Sequence, residues 1–513
     1  MGKEILRVEN LTKIYPGGTV ANYKINFSAD EGEIHALVGE NGAGKSTLMK
    51  MLFGIEEVTD GKIFLRGEEI HFANSTDAIA HGIGMVQQHM MLVPSLTVAE
   101  NLVLGIEHTT GLFVDKKQNV KDTEEISEKY NLKVDADKLV RDISIGMKQK
   151  LEILKTMYRG AKIIILDEPT AVLAPQETEE LFEQLLNLKK DGYTILFISH
   201  KLNEVKYLCD RLTVLKDGKS IGTYNVSDVT VEEISNLMVG RDITLSYDKD
   251  ETEIGDKILT VDHLNFVDKF GTKKLDDLSF SLRSGEVLGI AGIEGNGQKE
   301  AMEILTGNMK CDSGSIQFKG KDLTKLTIGK IRDTGIAHVP EDRNLDGSAP
   351  QMSVRDNISA ASLKKFTNKF KLLDQKKIDE YCEESVEKFK VKTSGLNSMI
   401  KSLSGGNVQK AIVAREFTQD ADVIVLNQPT RGVDVGAMEF IHKKILEMRS
   451  QKKSMVMVSA DLAELQALSD RIIVFYKGKV VGVIDDVKQT TDKELGLYML
   501  GLKQDSKEKL MEA

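Results

Sequence analysis

Short, uninterrupted apolar runs set the rhythm of this chain. IIIL at residues 163–166, ILFI at 195–198 and MVMV at 455–458 are apolar at every position, as strands buried on both faces require. Between them lie stretches of helical period such as residues 177–190. That alternation predicts an α/β fold built on parallel sheet. Two stretches interrupt it. Residues 89–142 and 342–402 read as mainly helical and polar, a separate lobe inserted in each half.

The pattern repeats along the chain. GENGAGKS at 39–46 aligns with GIEGNGQK at 292–299, and GIGMV at 82–86 with GIAHV at 335–339, both at an offset of 253. Further on the offset is 260: IIILDEPT at 163–170 aligns with VIVLNQPT at 423–430, and Asp210, Arg211 and Gly218 with Asp470, Arg471 and Gly478. The chain therefore reads as a duplicated domain, residues 1–241 and 257–513, with a small insertion in the second copy between 341 and 404. Residues 242–256 form a short acidic tether.

The first copy carries phosphate chemistry. Residues 39–46 satisfy G-x-x-x-x-G-K-[ST] between an apolar strand (34–38) and a helix with Leu48, Met51 and Leu52 on one face. Glycines let backbone N–H groups close around phosphate oxygens, and the helix N-terminus adds positive potential. The expected lining is Gly39, Asn41, Gly42, Gly44, Lys45, Ser46 and Thr47, with Lys45 on the β- and γ-phosphates of ATP and Ser46 on Mg²⁺. Asp167 and Glu168 end the strand at 163–166; the first is placed to hold the metal shell, the second to polarise an attacking water.

The order of these motifs, a P-loop, then Gln88, a signature peptide, Asp-Glu-Pro-Thr and finally Ser199 and His200, resembles an ABC ATPase over nearly the whole chain, twice. The signature is clearest in the second copy, LSGGNVQ at 403–409. The resemblance implies two P-loop NTPase domains, each with a RecA-like parallel-sheet core, a small antiparallel β subdomain and an inserted helical lobe. It also implies that Gln88 lies at the magnesium and the transporter contact and that His200 touches the γ-phosphate. Tyr15, ahead of Pro16, matches the aromatic that stacks on adenine.

In that family two domains meet head to tail, each ATP lying between one domain's P-loop and the other's signature. The copies depart from the pattern in complementary parts. In the second, Gln298 stands for the lysine, Lys299 for the metal-ligating hydroxyl, Asn427 and Gln428 for the two carboxylates, Ala460 for the histidine and Glu341 for the Q-loop glutamine. Asp268 falls where Tyr15 stands, with Phe266 and Phe270 nearby. In the first, the signature reads ISIGM at 143–147, and Ala174 stands where the second copy has Asp434. Head-to-tail pairing implies one complete site, joining Lys45, Ser46, Gln88, Asp167, Glu168 and His200 to Ser404, Gly405, Gly406 and Asp434, and one that collects every loss.

Composition narrows the setting. The chain of 513 residues is 41% hydrophobic and 29% charged, with no apolar run near the roughly 20 residues of a membrane span. MGKEILRVEN is not a secretory leader, and three widely spaced cysteines fit reduced thiols. A net charge of −10 argues against nucleic acid. The expectation is a peripheral subunit on the cytoplasmic face of the membrane, touching it only through two transmembrane permease subunits served by an extracytoplasmic substrate-binding lipoprotein. Tandem fusion resembles the importers of simple sugars and nucleosides. VQQHMMLVPSLTVAEN at 86–101, TAVLAPQE at 170–177 and QPTRGVDVGA at 428–437 look like the nucleoside branch. Soluble tandem ABC proteins acting on ribosomes are the different class; they resemble this chain in fusion but carry a long charged linker and two intact sites.

Overall fold

The structure is a computed structural model describing residues 2–88, 90–111, 113–171, 173–199, 201–239, 249, 253–370 and 372–513. The chain divides into two compact units, Met1–Ile243 and Thr244–Ala513. Most of the tether at 242–256 lies outside the described residues.

The first unit stacks two sheets. Its six-stranded sheet runs Lys219–Asn225, Arg211–Lys216, Ile34–Gly39, Thr194–Ile198, Ile163–Asp167, Ile83–Val86. The apolar runs occupy its centre, and Ile34–Gly39, Ile163–Asp167 and Thr194–Ile198 are buried at every position. The parallel reading holds for five strands. Lys219–Asn225 pairs antiparallel, because Asp217 and Gly218, both at positive φ, turn the chain tightly back along the edge. Its alternating exposure marks a half-solvated strand. The second sheet, Val20–Asp30, Glu4–Ile14, Asp60–Leu65, Glu68–Ile70, is antiparallel and packs its apolar face over the helix Lys45–Leu52.

The second unit repeats this plan: a sheet Ile336–Val339, Val423–Asn427, Ser454–Val458, Val287–Ala291, Arg471–Tyr476, Lys479–Ile484, and an antiparallel sheet led by Lys273–Arg283 and Lys257–Val267. The insertion is distributed through the lobe rather than placed at one point. The offset is 256 at the helix Val354–Ser359 (against Val98–Val103), 259 at Gln375–Lys388 (against Lys116–Lys129) and 260 at Gly405–Phe417 (against Ile145–Tyr158). The added residues fall in the loops before and between those helices, where length is cheap. Each lobe is helical as expected, and the first also carries a two-stranded hairpin, Thr109–Thr110 with Phe113–Val114.

Candidate functional site

The loop after Ile34–Gly39 reaches the helix Lys45–Leu52 through Gly42 and Gly44 at φ 86° and 93°. A Cβ on Gly44 would lie 2.5 Å from the carbonyl oxygen of Ala21, so only glycine fits there. Asn22 Nδ2 donates to Gly44 O at 3.1 Å and fixes the turn against the antiparallel sheet. No side chain caps this helix. Its first N–H groups are therefore left for an anion.

Lys45 is 6% exposed. Its ammonium donates to Gly39 O at 2.7 Å and Glu40 O at 3.0 Å. Burial lowers its pKa, while Glu168, Asp167 and Glu40 pull it back. Asp167, 7% exposed, ends its strand hydrogen-bonded to Ser46. Burial raises the Asp167 pKa and the adjacent Glu168 adds to the rise, whereas Ser46, Lys45 and Lys50 oppose it. Two carboxylates in one cleft thus lack enough positive charge, the electrostatic situation a bound cation relieves. Gln88, exposed, donates Nε2 to Glu168 Oε2 at 2.9 Å. Ser46, Asp167 and the amide oxygen of Gln88 offer the hard oxygens that Mg²⁺ takes alongside phosphate and water. Glu168 itself sits at φ 49°, its N–H held by Ile198 O at 2.9 Å. That left-handed backbone costs a side-chain-bearing residue about 1–3 kcal/mol.

The structure brings Lys45, Ser46, Gln88, Asp167 and Glu168 together. Gly39, Asn41 and Thr47 flank them in the loop and first helical turn. Tyr15 stands apart in the turn between Glu4–Ile14 and Val20–Asp30, half-buried beside Lys13. His200 lies outside the described residues. In the second unit Ser404, Gly405, Gly406 and Asp434 form a cluster of their own. Ser404 stands, exposed, at the position before the helix Gly405–Phe417, and Asn407 Nδ2 donates to its hydroxyl at 2.8 Å. Asp434 caps the helix Val435–Ser450, and a Cβ on Gly406 would meet its Oδ2 at 2.5 Å, so this glycine makes room for the carboxylate. At the equivalent of Tyr15, Asp268 caps its own hairpin turn through the N–H groups of Phe270 and Thr272. Phe266 packs into the core and Phe270 is 80% exposed.

Three braces were not read from the sequence. Glu204 accepts from Thr170 Oγ1 at 2.7 Å and Ser199 Oγ at 3.1 Å, tying the turn after Glu168 to the strand end before His200. Glu464 does the same with Thr430 and Ser459, with His442 added at 2.7 Å. Glutamate, threonine and serine all recur at the offset of 260, a signal that was available. Arg343 donates to Arg431 O at 2.7 Å and Gly432 O at 3.1 Å and lies against Gly405. It has no counterpart in the first unit to betray it.

Comparison with known proteins agrees with this geometry. The family model described as ABC transporter matches residues 23–171 and 275–431. The chain is 44% identical to the nucleoside import ATP-binding protein NupA of Lactococcus lactis, over 97% of this chain and 98% of that protein. It is 42% identical to the guanosine import ATP-binding protein NupO of Bacillus subtilis, over 97% of each. It is 40% identical to the glucose import ATP-binding protein TsgD13 of Haloferax volcanii, over 97% of this chain and 96% of that one. An archaeal ribosome recycling factor solved with the stalk protein aP1 matches 93% of this chain and 90% of its own, with a TM-score of 0.61 at 20% identity, a likeness of fold alone. No helix among the described residues is long and apolar enough to cross a membrane. The chain belongs to the ABC transporter family, as two fused copies of the ATPase domain that powers transport.

Proposed function

We propose that the loop of the first unit binds MgATP and hydrolyses it to drive import of nucleosides. Lys45 exchanges the carbonyls of Gly39 and Glu40 for β- and γ-phosphate oxygens. Ser46, Asp167 and Gln88 hold Mg²⁺, which when bound neutralises phosphate charge. Glu168 orients and polarises the attacking water, and His200 contacts the γ-phosphate. Tyr15 stacks on the base. Following the family's head-to-tail apposition, Ser404, Gly405, Gly406 and Asp434 close over the same phosphate. The domains are taken as 1–241 and 257–513, acting at the cytoplasmic face through two permeases and an extracytoplasmic binding lipoprotein.

The observation that carries the substrate is identity of 44% and 42%, along almost the full chain, with proteins named for nucleoside and guanosine import. Deleting the subunit tests it. Uptake of labelled uridine or adenosine is expected to fall to background while ribose and glucose uptake is unchanged. Loss of sugar uptake with nucleoside uptake intact would move the protein to the sugar branch.

A further inference from the structure

The second unit keeps the cradle of a phosphate loop and discards everything that would hold a metal there. Gly295 and Gly297 sit at φ 94° and 102°, as Gly42 and Gly44 do in the first, and Gly297 opens the helix Gln298–Leu305 with no side-chain cap. Gln298 takes the seat of Lys45: it is 7% exposed, and its Nε2 donates to Ile293 O at 3.2 Å, where Lys45 donates to Glu40 O. The donors are another matter. Lys299 replaces the Ser46 hydroxyl, and Asn427 and Gln428 replace both carboxylates. Glu341, in the place of Gln88, is ion-paired with Arg431. Mg²⁺ takes hard oxygens, carboxylates and phosphates foremost, and here stand an ammonium, two amides and a carboxylate already ion-paired. The residues present do not fit it.

What they offer is complementary to an anion. Asn427 is 2% exposed, and its Nδ2 is buried without a hydrogen-bond partner. It occupies the strand end from which Asp167 meets Ser46 in the first unit, the strand packing against the helix that begins at Gln298. A buried N–H with no acceptor is costly unless something supplies one. Lys299 is exposed, and among the described residues no carboxylate lies within ion-pairing distance of it; Glu303 and Asp342 act on it across a longer gap.

We propose that the loop at residues 292–299 binds a nucleoside triphosphate free of divalent metal, with the Lys299 ammonium and the Asn427 amide standing where the first site places its metal. This rests on the family reading of the loop as a nucleotide site. The test is equilibrium dialysis of the full chain with labelled ATP, in Mg²⁺ and in EDTA, using Lys45→Ala to silence the first site. The Lys45→Ala protein should bind one ATP per chain with affinities in the two buffers within about twofold, since no metal site is left to fill. Adding Lys299→Ser, an exposed change, should weaken binding in EDTA by tenfold or more, the loss of a charge-assisted contact to phosphate, while Lys299→Arg restores it. Binding by Lys45→Ala that requires Mg²⁺, no binding by it at all, or indifference to Lys299→Ser would each overturn the proposal. Failure of the underlying reading looks different: the unmodified chain would then bind no ATP in either buffer.

Discussion

The two units share a backbone and differ in what it carries. Glu168 and Gln428 sit at φ 49° and 52°, each with its N–H on the neighbouring strand, Ile198 O at 2.9 Å and Val458 O at 2.8 Å. In the first unit that strained position aims a carboxylate beside Lys45 and Ser46. In the second it aims an amide whose Oε1 accepts from the N–H of Ala460 at 3.0 Å. The glycine cradle, the buried strand ends and the Glu204 and Glu464 braces are likewise common to both. The geometry of a phosphate loop is thus maintained by packing and by glycine conformation, independently of hydrolysis. The chemistry rests on a few side chains that can be exchanged without disturbing it.

The sharpest way to break this contrast is to remove the same group from both units. Glu168→Gln should retain ATP binding and lose about 10²–10⁴-fold in turnover, the usual cost of a positioned general base. Gln428→Ala should leave turnover within about twofold, since no carboxylate was there to lose. Steady-state phosphate release by the two variants decides it, and near-normal rates in Glu168→Gln would remove that residue as the base.

A second experiment sharpens the assignment of the signatures. Ser404 and Ser144 both stand exposed at the position before a helix, so an arginine at either is accommodated by the fold. Ser144 spends its hydroxyl on Met147 N at 3.2 Å, whereas Ser404 makes no cap hydrogen bond to its own helix. In the helix at Gly405 the N–H groups of Asn407 and Val408 go to Ser404 O at 2.9 Å each, so the Ser404 hydroxyl takes no part in capping and accepts from Asn407 Nδ2. Ser404→Arg should cut ATPase activity at least tenfold, and Ser144→Arg should leave basal hydrolysis nearly intact. Equal losses from both variants would refute the division of labour.

Much of this was legible in the sequence because the signals were local. Four apolar residues in a row announce a buried strand, and GENGAGKS between a strand and a helix announces its own loop. The duplication made the reading stronger, since the motifs appeared twice in the same order, at an offset of 253 early in the domain and 260 late in it. What was not legible depends on contacts between distant residues. Glu204 reaches Thr170 and Ser199 only after the sheet has formed, and Arg343 reaches Gly432 across 89 positions. The antiparallel edge strand was missed for a different reason: its partner and its turn obey local rules, but a buried parallel neighbour and an antiparallel one look alike from the apolar side.

The smallest effect concerns a pair of positions outside both loops. Met85 in the first unit corresponds to His338 in the second, and Thr156 to Glu416. Glu416 is buried and paired with Arg332 at 2.6 Å and Arg415 at 2.7 Å. His338 is 9% exposed, with Nε2 buried and unpartnered. Burial pushes its pKa down to about 4; Glu416 opposes the shift, and Arg332 and Arg415 reinforce it. The folded imidazole therefore stays neutral down to about pH 4, while the unfolded one takes a proton near 6.5. Between those values the unfolded chain binds the extra proton, so stability must fall as the pH drops, by about 1.4 kcal/mol per unit from this group. His338→Met installs the residue the first unit already uses. It should remove that share of the slope and relieve an unpaired buried nitrogen, so that the variant melts higher than the parent at pH 5 by more than it does at pH 7.5. Parallel melting curves across that range would show that His338 finds a proton or a partner in the folded state, and the electrostatic difference between the two units at this position would vanish.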